Sequence, residues 1–273
     1  MISYRITFLG TGGMFNHNLG NSNVIVDWIE DEIVIYRMLI DCGTTALGRL
    51  LHPAVVANTD YNSKAFGVDA VILTHLHSDH HGGLEELGFN NKYLHDGFKP
   101  MLFLLPGLAD ELWNSCLKGS MGCSISITGA TEKNSLESFF DIIESQTIVV
   151  GPEDRSILVS LIPVQHVPGQ MACGVFLNIL TNTVWFSGDC VYSNSLNGYL
   201  EQSDIIFHEV QMFDLGSANV HTPLSVLENS LGSDVKKRIH FYHGDNLVDK
   251  DILDKGFGGV VKPMDFFIFK ENE

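Results

Sequence analysis

Basic residues are scarce in this chain. Its 273 residues hold 16 Lys+Arg against 33 Asp+Glu, a formal charge of −17. Electrostatic capture of nucleic acid or of an anionic membrane draws on basic surface, so the deficit argues against both. Long apolar runs are missing too. No stretch approaches the roughly 20 residues that a membrane helix needs. The start, Met1-Ile2-Ser3-Tyr4-Arg5, lacks the basic leader, apolar run and small-residue cleavage site of a signal peptide, and none is expected. The five cysteines are odd in number and form no C-x-x-C pair. That pattern predicts no disulfide framework and fits a reducing cytoplasm. No repeat, low-complexity tract or Pro/Ser-rich linker interrupts the chain, which reads as one domain over residues 1–273.

What is present is a globular composition, 45% hydrophobic with only 18% charged. It carries an excess of histidine. The twelve histidines nearly equal all Lys and Arg together. Runs of β-branched and aromatic residues predict strands at 4–9, 70–73, 101–105, 157–164, 175–180, 184–186, 205–207, 239–242 and 260–269. Residues 24–28 and 33–40 read as a hairpin around Glu30-Asp31-Glu32. Helices are expected at 44–57, 110–117, 136–143, 223–231 and 248–253. Strands, then helices, then strands again suggest two sheets with helices packed outside.

The glycine run Gly10-Thr11-Gly12-Gly13 follows the first strand, but a dinucleotide fingerprint needs a sixth-position glycine where this chain has Phe15. A Rossmann site is therefore rejected, and the run reads as a tight turn at the edge of a site.

The informative segment is Thr74-His75-Leu76-His77-Ser78-Asp79-His80-His81-Gly82-Gly83. Side chains two apart on an extended chain share a face, so His75 and His77 can converge on one ion. Asp79 and His80 fall where the strand gives way to a turn and address a second point nearby. Imidazole and carboxylate are ligands for zinc and other first-row divalent ions.

This H-x-H-x-D-H segment resembles the signature of the metallo-β-lactamase-fold hydrolases. The resemblance implies an α+β fold, a four-layer αββα sandwich of two mixed sheets with helices on both outer faces, and a dinuclear metal site. It also demands three further stations in order. Val164-Gln165-His166, Ser187-Gly188-Asp189 and Tyr242-His243-Gly244 fill them. Carried over by residue, one ion takes His75, His77 and His166, the other takes Asp79, His80 and His243, and Asp189 bridges. His81 and His240 fall outside the ligand set. Two divalent ions are implied; zinc is the expected ion, and manganese or iron suits a similar shell. Two cations roughly 3.5–4 Å apart bring the pKa of water from near 16 towards roughly 7 and stabilise both oxygens of an in-line displacement. Asp79 is also placed to orient the attacking water.

Later features resemble the ribonuclease Z-like phosphodiesterases: Phe207-His208-Glu209-Val210, Val220-His221-Thr222-Pro223, Phe8-Leu9-Gly10-Thr11-Gly12 and Ile40-Asp41-Cys42-Gly43. In that branch the histidine corresponding to His221 protonates the leaving oxygen, and the glutamate corresponding to Glu209 holds it. Here Val210-Gln211 stands where the branch has Ala-Thr, and no serine follows His221. A tRNA-processing enzyme of this branch carries a gripping arm between the third metal histidine and the bridging Asp, yet His166 and Asp189 lie only 23 positions apart. The charge of −17 opposes tRNA as well.

The arm-free layout is most similar to the phage anti-Pycsar nucleases. That resemblance implies hydrolysis of 3′,5′-cyclic mononucleotides (cAMP, cGMP, cCMP, cUMP) to nucleoside monophosphates with weak base selectivity, in opposition to cyclic-nucleotide immune signalling. It also implies a homodimer whose partner subunit helps close the site, in the cytoplasm (of the host, if phage-encoded). Competing readings are a tRNA 3′-processing endoribonuclease, a thioester, lactone or β-lactam hydrolase, and a non-catalytic metal-binding module. Phe15 is a candidate for stacking on a base or for core packing. The segment 90–145 is open among capping the site, forming a dimer contact and simple packing.

Overall fold

A computed structural model describes residues 2–56, 59, 63–126, 128–244 and 247–271. The first half of the chain supplies β1 (Ile2–Phe8), β2 (Val24–Glu30), β3 (Ile33–Ile40), β4 (Ala70–Ile72), β5 (Met101–Leu104), the ribbon β6 (Cys123–Ile125) and β7 (Thr131–Lys133), and β8 (Asp141–Glu144). The second half supplies β9 (Thr147–Val150), β10 (Ile157–Val164), β11 (Ala172–Ile179), β12 (Asn182–Phe186), β13 (Ile205–Glu209), β14 (Ile239–Tyr242), β15 (Gly259–Val260) and β16 (Phe266–Lys270). Two seven-stranded sheets result, ordered β16-β1-β2-β3-β4-β5-β8 and β15-β14-β13-β12-β11-β10-β9.

Strand periodicity sorts the apolar side chains between layers. On β1, Tyr4, Ile6 and Phe8 join the core between the sheets. On β3, Met38 and Ile40 do the same, while Leu39 faces outward under the helix Ala46–Leu50. On β12, Val184 and Phe186 point inward and Trp185 packs outward with Leu200 and Leu227 of two helices. Three buried layers of side chains therefore separate four layers of structure, the expected αββα sandwich. Under the outer face of the first sheet, the fully buried Arg37 guanidinium grips Asp27 with Nε–Oδ1 at 2.7 Å and Nη2–Oδ2 at 3.1 Å. This geometry satisfies two charges that would otherwise be costly to bury.

Several expected elements need correction. The helix at 136–143 is a single 3₁₀ turn, Leu136–Ser138, followed by β8, which pairs in parallel with β5. Leu136, Phe139, Phe140 and Ile143 repeat at helical spacing, but the edge of the first sheet captures the second half. The strand at 260–269 is two strands in different sheets, because Pro263 and Met264 (φ 72°) turn the chain between β15 and β16. The helix at 44–57 divides into Ala46–Leu50 and Pro53–Val56, since Pro53 cannot donate into the preceding turn; its last residue, Ala57, lies outside the described residues. The helix at 110–117 is part of a longer run, Leu108–Glu111, Leu112–Leu117 and Lys118–Met121, with π-type bonding in the middle. The hairpin is present, and its turn residues Asp31 (φ 48°) and Glu32 (φ 71°) both have the positive φ of a tight two-residue turn.

Within 90–145, Leu102, Leu104, Leu108, Leu112, Leu117, Met121 and Phe140 pack onto the outer face of the first sheet. None of the segment's described residues lines the site cavity described below. No helix of the described residues is long and apolar enough to cross a membrane.

Candidate metal centre

In each sheet four neighbouring strands run in parallel, β3, β4, β5 and β8 in one and β12, β13, β14 and β15 in the other. The polar groups collect beyond their carboxyl ends, where the chain leaves the sheets and is free to carry ligands. After β4, the extended run through Thr74 brings the His75 and His77 rings to one side, their centroids 4.6 Å apart. A helical turn, Ser78–His81, then presents Asp79 and His80. That turn sits on the chain after β3: Cys42 N donates to His80 O at 2.6 Å and Gly83 N donates to Cys42 O at 2.7 Å. A Cβ on Gly43 would lie 1.8 Å from the Asp79 carbonyl oxygen, so only glycine permits this approach.

The second sheet brings His166 from the end of β10, Asp189 after β12, Glu209 at the end of β13 and His243 after β14. Asp189 Oδ2 is the hub. It lies 3.2 Å from His243 Nε2, 3.4 Å from His80 Nε2, 3.8 Å from His75 Nε2 and 3.9 Å from His166 Nε2. The candidate ligand atoms fall into groups whose members are all within 4.8 Å of one another: His75, His77, His166 and Asp189; and Asp79, His80 and His243. A third group, Asp189, His221 and His243, meets the same limit. The seven candidate ligands and His221 therefore lie in one place.

Neighbouring groups fix the ring orientations. His80 Nδ1 donates to Asp41 Oδ2 at 2.7 Å, His166 Nδ1 to the Val220 carbonyl at 2.6 Å, and His75 Nδ1 to Thr74 Oγ1 at 3.0 Å. Thr74 Oγ1 in turn donates to Asp41 Oδ2 at 2.8 Å. Each bond turns the Nε2 edge of its ring towards the hub, the orientation a metal ligand requires. Asp41 (φ 62°) and His243 (φ 55°) both occupy the left-handed region, which costs an L residue about 1–2 kcal/mol. The surroundings hold both there: Asp41 by these bonds, and His243 by its N–H to Thr11 O at 2.9 Å.

Burial holds the His75 imidazole well below its ordinary pKa, lowers His243 and takes His166 down to about 4. Burial pulls His80 the same way, but the Asp189 and Asp41 carboxylates on its two nitrogens reverse that and lift it well above. Burial alone would raise the Asp189 carboxyl; His243 and His80 override it and hold it well below the carboxylate range. Among the described residues, His75 Nε2, His80 Nε2, Asp79 Oδ1 and Asp189 Oδ1 are buried with no hydrogen-bond partner. Such atoms cost about 1–3 kcal/mol each when left unpaired. Imidazole nitrogens and carboxylate oxygens thus converge on one point, where a divalent cation would take the place of the proton that the carboxylates favour on His80.

Beside the hub, His221 Nδ1 lies 3.3 Å from Glu209 Oε2 and 4.0 Å from Asp189 Oδ2. Glu209 is fully buried, and its Oε1 accepts from Thr222 N at 2.8 Å and Cys190 N at 3.3 Å. Burial lowers His221, but the Glu209 carboxylate 3.3 Å away more than restores it, to about 9. Burial raises Glu209 itself. The two backbone donors on Oε1 favour the ionised carboxylate, which in turn favours a protonated His221 beside it. A cavity of about 590 Å³ opens over the site, walled by His77, Asp79, His221 and His243 and by Met14, Phe15, Met212 and Phe213 at its mouth. Phe15 is 85% exposed, so it does not pack in the core.

His81 and His240 stay outside these groups, as expected; the His240 ring packs on Phe267 at 5.5 Å. Sequence reasoning assigned no role to Asp41, Thr74, Thr222, Met212 or Phe213. Only the Ile-Asp-Cys-Gly strand end hinted at Asp41.

The sequence profile of the family described as "Anti-Pycsar protein Apyc1" matches residues 4–267. The anti-Pycsar protein Apyc1 of Paenibacillus sp. (strain J14) is 31% identical over 271 residues, covering 97% of this chain and 96% of the relative. That of Bacillus phage BSP38 is 28% identical, with 90% and 91% covered. Among solved structures, the metallo-beta-lactamase fold protein YhfI from Bacillus subtilis superposes with a TM-score of 0.69 at 18% identity, covering 98% of this chain and all of that one. The fold is thus the metallo-β-lactamase fold, and the chain belongs to the anti-Pycsar protein Apyc1 family.

Proposed function

We propose that this protein is a metal-dependent phosphodiesterase that hydrolyses 3′,5′-cyclic mononucleotides to nucleoside monophosphates and so counters cyclic-nucleotide immune signalling. The observation that carries the reading is the position of Asp189 Oδ2 between two ligand groups, with the His221–Glu209 pair on its open side. His75, His77 and His166 would hold one divalent ion and Asp79, His80 and His243 the other, with Asp189 within reach of both groups. Zinc is the ion assigned, with manganese an alternative of similar ligand taste. Bound there, two such ions would supply a water of lowered pKa and neutralise charge on the phosphoryl oxygens.

The chain's own groups do the rest. Asp79 orients the attacking water through its carboxylate. As the water oxygen gives up a proton to solvent and bonds to phosphorus, the ester bond to the ribose oxygen on the far side breaks, and its electron pair stays on that oxygen. His221 delivers a proton to it and is left neutral, which suits a group whose ordinary pKa lies near neutrality. Glu209 keeps the ring aimed. The mouth residues Phe15 and Phe213 offer apolar faces to the base, a contact that every base can make.

A long RNA fits less well. The 23 positions from His166 to Asp189 are taken up by β11 and β12, which leaves no arm, and the charge of −17 repels a polyanion. Family membership supports extending the reading to a cytoplasmic homodimer whose partner subunit helps cover the mouth. The test is a pair of variants. His75→Ala and Asp189→Ala should each abolish hydrolysis and lower bound metal by elemental analysis; full occupancy and activity in both would overturn the reading.

A further inference from the structure

Three consecutive residues, Val220, His221 and Thr222, each make a different connection to the site. The Val220 carbonyl accepts the Nδ1 proton of His166 at 2.6 Å. His221 stands 3.3 Å from Glu209. Thr222 is fully buried, and its hydroxyl bonds twice: Oγ1 donates to Cys190 O at 2.8 Å and accepts from Tyr192 N at 2.9 Å. Its own N–H donates to Glu209 Oε1 at 2.8 Å. Cys190 directly follows the hub Asp189. On the far side, Gln211 N donates to Thr222 O at 2.9 Å, and Leu224 N donates to Gln211 O at 2.9 Å. The segment is thus pinned at one end to the chain leaving β12 and at the other to the chain leaving β13.

Resting on the assignment of His166 as ligand and His221 as acid, we infer that Thr222 is a positioning residue that sets both groups at once. Its hydroxyl fixes how far residues 220–222 sit from the 189–192 chain. That distance decides whether the Val220 carbonyl reaches His166 Nδ1 and whether His221 meets Glu209. The consequence is a coupling. The hydrogen bond that selects the metal-binding tautomer of His166 and the seat of the proton donor rise or fall together, because one short strap carries both. A valine at 222 has nearly the same shape but leaves Cys190 O and Tyr192 N buried without partners, and such groups are paired wherever the chain can arrange it. Serine keeps the hydroxyl.

The experiment compares Thr222→Val, Thr222→Ala and Thr222→Ser in two readouts. The first is made on metal-free protein: the ring ¹⁵N shifts of His166, assigned by its loss in His166→Gln, report which nitrogen carries the proton. The second titrates zinc and follows hydrolysis of two phosphodiesters, one with a nitrophenyl and one with an alkoxide leaving group. The expected result is a single Nδ1–H tautomer in the parent and in Thr222→Ser and a mixture in Thr222→Val and Thr222→Ala. The latter two should also show a metal affinity weaker by about 10–100-fold, the usual effect of losing a group behind a ligand. They should slow the alkoxide substrate more than the nitrophenyl one. An unchanged His166 tautomer and metal affinity in Thr222→Val and Thr222→Ala would overturn the inference, as would equal impairment in Thr222→Ser. Should neither phosphodiester turn over in the parent, the proposed activity fails while the tautomer and zinc titrations still decide the role of Thr222. If Thr222→Val does not fold, Thr222→Ala carries both readouts.

Discussion

Asp41 Oδ2 accepts a 2.7 Å hydrogen bond from His80 Nδ1, and neither residue's signature announces the other. The same carboxylate holds Thr74 through its Oγ1 and N–H, both at 2.8 Å, and through Thr74 it orients His75. One residue thus aims a histidine of each ligand group. Asp41→Asn keeps the shape and removes the charge. It should weaken metal binding by about 10–100-fold while hydrolysis at saturating metal recovers most of its rate. A zinc titration monitored by activity and by elemental analysis checks this, and an unchanged titration midpoint would count against the orienting role.

The acid role proposed for His221 gives a second expectation. His221→Ala should slow an alkoxide-leaving substrate by about 10²–10⁴-fold, the usual worth of general acid catalysis. A nitrophenyl ester, whose leaving group needs no proton, should slow far less. Equal losses on both substrates would remove His221 from the acid role and leave it as a structural neighbour of Glu209.

Phe15 stands 85% exposed at the mouth of the cavity. If its face carries the base, Phe15→Ala should raise KM for cyclic mononucleotides about tenfold, within the roughly 1–3 kcal/mol of a stacked base. The effect should be similar for purines and pyrimidines and absent for a cyclic phosphodiester lacking a base. A loss of dimerisation with unchanged KM would assign the residue to the subunit contact instead.

Stability should depend on pH through His208, which is fully buried with its Nδ1 bonded to the Glu209 carbonyl at 2.6 Å. Burial takes its folded pKa down to about 4. Above pH ~6.5 both folded and unfolded chains hold it neutral, and it contributes nothing to the pH dependence. As pH falls below that, the unfolded chain takes up a proton that the folded chain refuses. Stability is therefore lost progressively down to pH ~4, by on the order of 3 kcal/mol. Urea midpoints of metal-free protein at neutral and mildly acidic pH measure it. His208→Gln should show a smaller acid-induced drop than the parent, and an equal drop would assign the acid sensitivity to other groups.

The first candidate ligands were legible because their pattern is local. His75, His77, Asp79 and His80 lie within six positions, and strand periodicity alone puts the first two on one side. His166, Asp189 and His243 could be placed only because a resemblance supplied their order; nothing in the spacing says that they meet. Asp41 and Thr222 are single polar residues at the ends of buried segments, and their roles arise from contacts 39 and 32 positions away in sequence. The helix expected at 136–143 shows the opposite failure. Its apolar spacing is helical, but an unpaired sheet edge beside β5 outweighs that local preference. Likewise, the apolar run at 260–269 does not reveal that its two halves join different sheets.

The central claim is that this chain opens small cyclic phosphodiesters. Chromatography of products after incubating the zinc- or manganese-loaded protein with cyclic mono-, di- and oligonucleotides and a precursor tRNA tests it most directly. The account predicts nucleoside monophosphates from the cyclic mononucleotides, little discrimination among bases, and an intact precursor tRNA. Cleavage of the tRNA with the cyclic mononucleotides untouched, or no turnover of any phosphodiester, would contradict it.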